Sequence, residues 1–162
     1  MKRTGGLAIQ EVKLHWSKGW SFVDLYRNPD FYRFTAGLYA FLSPSPFALL
    51  YIGMTYDQSF SREIANHLGP TDRGVPVVSR ADPVGRWIYK NATTNPKVKI
   101  AHVELSPGSR ISRELVADVE AALINIYQPP ANLRSTRTYY GRAITIKHKG
   151  SRKPFESVDV FE

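Results

Sequence analysis

With 162 residues, 43% of them hydrophobic and 12% aromatic, the chain is long enough for one buried core and too short for two full domains. Its net charge of +8 predicts a polyanionic partner, nucleic acid first, because clustered Lys and Arg displace counterions from a phosphate backbone. The absence of cysteine excludes disulfides, thiol nucleophiles and Cys-ligated zinc; no apolar run is long enough to span a bilayer, and the opening MKRTGGLAIQEVKLHW lacks a signal peptide's apolar centre, so an intracellular, cytoplasmic protein with no membrane partner is expected.

No internal repeat or low-complexity segment interrupts the chain, which reads as a single domain over 1–162. Residues 1–35 are aromatic-rich and predict a strand or two, with a turn at Asn28-Pro29-Asp30. Their aromatics Trp16, Trp20, Phe22, Tyr26 and Phe31 are expected to pack rather than to offer a base-stacking platform. GLYAF at 37–41 and LLYI at 49–52 read as paired strands joined across SPSP. A short helix follows over about 58–68, stopped by Gly69-Pro70. Residues 69–85, rich in proline and glycine, look like a long exposed loop; RWIYKN is ambiguous, and 98–105 alternates like a strand. The best helix lies within 109–127 and ends at Pro129-Pro130, and AITIKHK at 143–149 predicts a late strand. The fold class expected is α/β in the broad sense (α+β): a small mixed or antiparallel central sheet flanked by helices.

The helix over about 112–127 contains an anomaly. At 100° per residue, Leu115, Val116, Val119, Leu123, Ile124 and Ile126 share one apolar arc, and Glu114, Asp118 and Asn125 lie opposite. Glu120 projects from within the apolar arc, since its i±3 and i±4 neighbours are Val116, Ala117, Leu123 and Ile124. Burying an unpaired carboxylate costs several kcal/mol, so Glu120 needs a cation or strong donors. Two readings follow: a partner among the many arginines, or a ligand for Mg²⁺, which is commonly held by one or two carboxylates with water and phosphate.

GLY at 37–39, YIG at 51–53, a following helix with Arg62 and His67, and then Glu120 and Asn132 in VEAALINIYQPPANL together resemble the GIY-YIG nuclease superfamily. The resemblance covers 36–134, leaving 1–35 as an N-terminal extension and 135–162 as a basic C-terminal one. It implies a small helix-flanked sheet that cuts DNA phosphodiesters with Mg²⁺ or Mn²⁺. On that basis Glu120 would hold the metal, Tyr39 or Tyr51 would position the attacking water, His67 would assist, Asn132 would orient the site, and Gly53 would permit close backbone approach. Each residue has a plainer reading as well: strand tyrosines, a helix-terminal histidine suited to the dipole, a turn asparagine. His15, His102 and His148 show no ligand spacing and are expected to be structural or surface residues.

The pattern departs from the family on the helix FSREIANH, where Glu63 falls at the arginine's place and Arg62 lies one residue early, about 100° round the axis. Hence a second reading, a weak or inactive nucleic-acid-binding module. The loop MTYDQS is longer than in excision-repair members and resembles standalone or restriction-type endonucleases, and it places Tyr56 near the site. Basic residues gather in two regions expected to track phosphates: Arg73, Arg80, Arg86 and Lys90, and then Arg134, Arg137, Arg142, Lys147 and Lys149 interleaved with Tyr139 and Tyr140. The expected partner is double-stranded DNA, and a double-strand cut would need a homodimer, two successive events or another protein.

Overall fold

The run GLYAFL forms β2 (Gly37–Leu42), and all of its positions are buried. A strand without a polar side must be covered on both faces, which is why it reads as a continuous apolar run rather than an alternation. In the computed structural model, which describes residues 9–73, 75–132 and 142–161, that cover comes from two helical layers on a mixed sheet. The sheet has six strands in the order β3 (Leu49–Thr55), β2, β6 (Lys97–Leu105), β1 (Gln10–Trp16), β7 (Ile144–Gly150) and β8 (Val158–Phe161). The β1–β7 contact is parallel and the others are antiparallel. The strands before and after the resembling stretch, β1, β7 and β8, therefore belong to the same sheet as the tyrosine hairpin.

Alternation sorts the side chains into two cores. Leu38, Ala40, Leu42 and Ile52 join Val12, Leu14, Trp16, Ile144 and Ile146 beneath α4 (Arg113–Tyr127), which buries Leu115, Val116, Val119, Ala122, Leu123 and Ile124 against them. Tyr39, Phe41, Val98 and Ile100 face the other way, under α1 (Phe22–Tyr26), α2 (Phe60–Leu68) and α3 (Pro83–Asn91). This second layer packs over the β3-β2-β6 half. Farther across the same face Lys13, His15 and Lys149 are not buried.

One strand, β1, is described before residue 35, followed by α1, which Ser21 caps, and by the expected turn, where Asn28 accepts from the Asp30 N–H to start a 3₁₀ turn at Pro29–Tyr32. Other expectations are corrected. Trp16, Phe22 and Phe31 pack as expected, while Tyr26 is 41% exposed. The stretch 69–85 is not a long exposed loop. It forms a two-strand ribbon, β4 (Thr71–Asp72) with β5 (Val75–Pro76), a 3₁₀ turn at Val78–Arg80, and the start of α3. Asp82 caps α3 by accepting the Gly85 N–H, Pro83 sits where its missing N–H costs nothing, and RWIYKN completes the helix. Ile126 leaves the apolar arc and is 38% exposed. In the last turn Tyr127 takes the inward place, its ring 5.2 Å from that of Phe155 and its hydroxyl donating to Asp159 at 2.8 Å. Among the described residues no helix is long and apolar enough to cross a membrane.

Candidate functional site

The antiparallel register sets Tyr39 opposite Gly53 and Phe41 opposite Tyr51, so both tyrosines stand on the face covered by α2. Their rings lie 6.1 Å apart. Both hydroxyls converge on one atom: Tyr39 reaches His67 Nε2 at 2.8 Å and Tyr51 the same nitrogen at 3.2 Å. His67 belongs to the last turn of α2, which begins at the Ser59 cap and buries Phe60, Ile64 and Leu68. On its far side, His67 Nδ1 lies 2.6 Å from Asp82 Oδ2. Tyr39 is only 1% exposed, whereas Tyr51 is half-buried. Desolvation pushes both phenols above their ordinary range, and the Glu120 charge pushes them further, so both remain protonated donors.

At Gly53 a Cβ would stand 2.6 Å from Tyr39 Cε2, so the glycine makes room for the tyrosine ring.

The outer edge of β3 is closed by side chains. Asn132 accepts from the Ile52 N–H and donates to the Ile52 carbonyl, each at 2.9 Å, imitating a neighbouring strand. The Ala131 N–H donates to the Leu50 carbonyl at 2.8 Å. Farther along, the Met54 N–H donates to the Glu120 carboxylate. Glu120 is thus brought from α4 to the edge that carries Tyr51, and Asn132 secures the residue between Tyr51 and Gly53.

Burial first, and the nearby Glu63 charge second, raise the Glu120 carboxyl to about 7, against a smaller lowering by the Met54 bond. Among the described residues no Lys or Arg is ion-paired with Glu120. Glu63 and His67, four residues apart on α2, share its site-facing side. Arg62 is exposed, and the helix runs regularly through it. The charges that act on the two tyrosines and Glu120 are Glu63, Asp82 and Glu120 itself, all negative. Such a cluster of negative groups favours a cation. No group of three His, Cys, Asp or Glu able to enclose a metal occurs among the described residues.

Tyr56 does not reach the site; its hydroxyl donates to the Ile111 carbonyl at 3.3 Å, and its ring packs with the α4 core. Arg73, Arg80, Arg86 and Lys90 are exposed, the last two one turn apart on α3. Arg142 pairs with Asp118 at 2.7 Å and Lys147 with Glu11 at 3.1 Å, while Lys149 is exposed. Arg134, Arg137, Tyr139 and Tyr140 lie outside the described residues. Asp82 was not anticipated from the sequence, although Asp-Pro ahead of an amphipathic stretch is a helix-start signal that would have drawn attention to it. Compared with protein-family models, curated proteins and solved structures, the chain matches none.

Proposed function

We propose that the chain is a divalent-metal-dependent DNA endonuclease with a GIY-YIG-like arrangement. The observation that carries this reading is the convergence of two protonated phenols on one imidazole nitrogen, beside a half-buried carboxylate with no cationic partner among the described residues. Glu120 would hold Mg²⁺ or Mn²⁺, with Glu63 adding to the negative potential that draws it in. When bound, such an ion stabilises charge developing on the phosphate and its leaving oxygen. Tyr51, the more open phenol, orients the attacking water, and Tyr39 holds the ring arrangement from below. His67 receives the phenolic proton. Asn132 keeps the edge strand straight beneath Tyr51. The exposed Arg86 and Lys90 would contact the DNA backbone beside the site.

Supercoiled plasmid tests the proposal. Nicking is expected with Mg²⁺ or Mn²⁺, none with EDTA, and Glu120→Ala should lose at least about a thousandfold in rate, as expected when a group stabilising transition-state charge is removed. A Glu120→Ala protein that nicks at the wild-type rate refutes the metal-holding assignment. One observation favours the second reading, a nucleic-acid-binding module with weak or no activity: Glu63, not a cation, occupies the site-facing place on α2. Robust EDTA-sensitive nicking disposes of that reading.

A further inference from the structure

We infer that Asp82 is a positioning residue, holding His67 in the one tautomer that can accept a proton from the tyrosine pair. An ionised carboxylate offers only acceptors, so the 2.6 Å contact requires His67 to donate from Nδ1. A neutral imidazole carries a single ring proton. Nε2 is therefore left with its lone pair, and that is the atom on which both hydroxyls converge. The two halves agree: a pair of hydroxyls, linked to each other by a hydrogen bond, presents a donor to the acceptor nitrogen on one side of the ring, and an acceptor faces a donor on the other.

Asp82 can impose this because it is fastened to the turn that bears His67. Its backbone N–H points at the carbonyls of Asn66 and His67, 3.2 Å from each. Its other carboxylate oxygen accepts the Gly85 N–H at 3.0 Å. Gly85 then lies so close to the His67 carbonyl that a Cβ would stand 2.7 Å from its carbon, and the Tyr89 hydroxyl donates to the Leu68 carbonyl at 2.7 Å. One carboxylate thus caps α3 and orients the imidazole of α2. The ionisable groups around the ring are Tyr39 from β2, Tyr51 from β3, Asp82 from the start of α3 and, one turn back on its own helix, Glu63.

The catalytic consequence rests on the nuclease reading; the tautomer does not. In that reaction the water oxygen bonds to phosphorus as the bond from phosphorus to the leaving oxygen breaks. The water proton passes to the Tyr51 oxygen, the phenolic proton passes to His67 Nε2, and Asp82 stabilises the imidazolium. The leaving oxygen takes a proton from solvent, and His67 returns its own to solvent.

The test is ¹⁵N NMR of full-length protein with labelled histidine at about pH 8, where an ordinary imidazole is neutral. The His67 signals, assigned by their loss in His67→Gln, should show a protonated Nδ1 and a bare Nε2. Asp82→Asn keeps an oxygen to cap Gly85 but turns an N–H₂ toward Nδ1, so the proton should move to Nε2. Plasmid nicking by that variant should then fall about 10²- to 10⁴-fold in kcat, with KM for DNA within about threefold. A wild-type spectrum with Nε2 protonated overturns the inference, as does an Asp82→Asn protein with unchanged tautomer and unchanged kcat. Should the variant fail to fold, the wild-type spectrum alone decides. Should wild type show the Nδ1–H tautomer yet never cut DNA, the nuclease reading falls and Asp82's hold on His67 stands.

Discussion

At Glu120 one side chain combines a cost with a use. Its carboxyl titrates near 7 rather than at the ordinary 4.5, so between those values the folded chain binds more protons than the unfolded one. Stability is therefore greatest below about pH 4.5 as far as this group is concerned, falls as pH rises to 7, and above that carries the full cost, about 3 kcal/mol. Without divalent ions, Glu120→Gln should melt several degrees higher than wild type at about pH 8 and within a degree or two of it at about pH 5. Equal melting temperatures at both values would show that the carboxyl is not destabilised by its surroundings. Glu120 was legible because a carboxylate inside an apolar arc contradicts its own helix. Glu63 was only half legible: its spacing from His67 shows that the two share a face, but what that face meets is set by β3 and α4. Asp82 acts on a histidine in another helix, and no local pattern relates the two.

Among the elements, β3 is the one whose position decides the site, and it is an edge strand held on its outer side by the Asn132 and Glu120 side chains and one backbone bond from Ala131 instead of a neighbouring strand. Asn132→Ala removes both buried bonds to Ile52 and leaves that N–H and carbonyl unpaired, a loss of about 2–3 kcal/mol in urea unfolding. A loss below about 0.5 kcal/mol would mean that water replaces the amide and the clamp is dispensable. The other end of the sheet is held differently. The Trp16 indole N–H donates to His148 Nδ1 at 2.9 Å, His148 Nε2 faces Asp159 at 2.8 Å, and Tyr127 donates to the same carboxylate. That chain of contacts ties β1, β7, β8 and α4 together. The β2–β3 hairpin and α4 were readable because their periodicities are long and clean. α3 was not, because Pro83 and Gly85 look like loop residues. The structure gives the reason for each: one starts the helix, and the other is small because α2 lies against it. Ile126 shows the limit of a wheel drawn without neighbours, since Tyr127 took its place through contacts with Phe155 and Asp159.

Across the whole molecule, the face bearing the tyrosines continues past α2 into a half-open sheet with Lys13, His15 and Lys149, while Arg86 and Lys90 flank the site on α3. On the proposed function, and with a net charge of +8, the chain should bind DNA with an affinity that falls steeply as salt rises, by about 0.9 in the log–log slope per phosphate neutralised. Arg86→Glu combined with Lys90→Glu should flatten that slope by about 1–2 and weaken binding to all sequences alike. An unchanged slope would place the DNA elsewhere. A different consequence follows from where β1 sits. It leaves the ribosome before every other strand described, yet its seat lies between β6 and β7, and Ile144 and Ile146 of β7 belong to the same buried core as Leu38, Ile52 and the inward side chains of α4. The tyrosine hairpin can close early in synthesis, but the core that α4 covers stays incomplete until the segment ending at Gly150 has emerged, so a nascent chain carries both phenols before that core is whole.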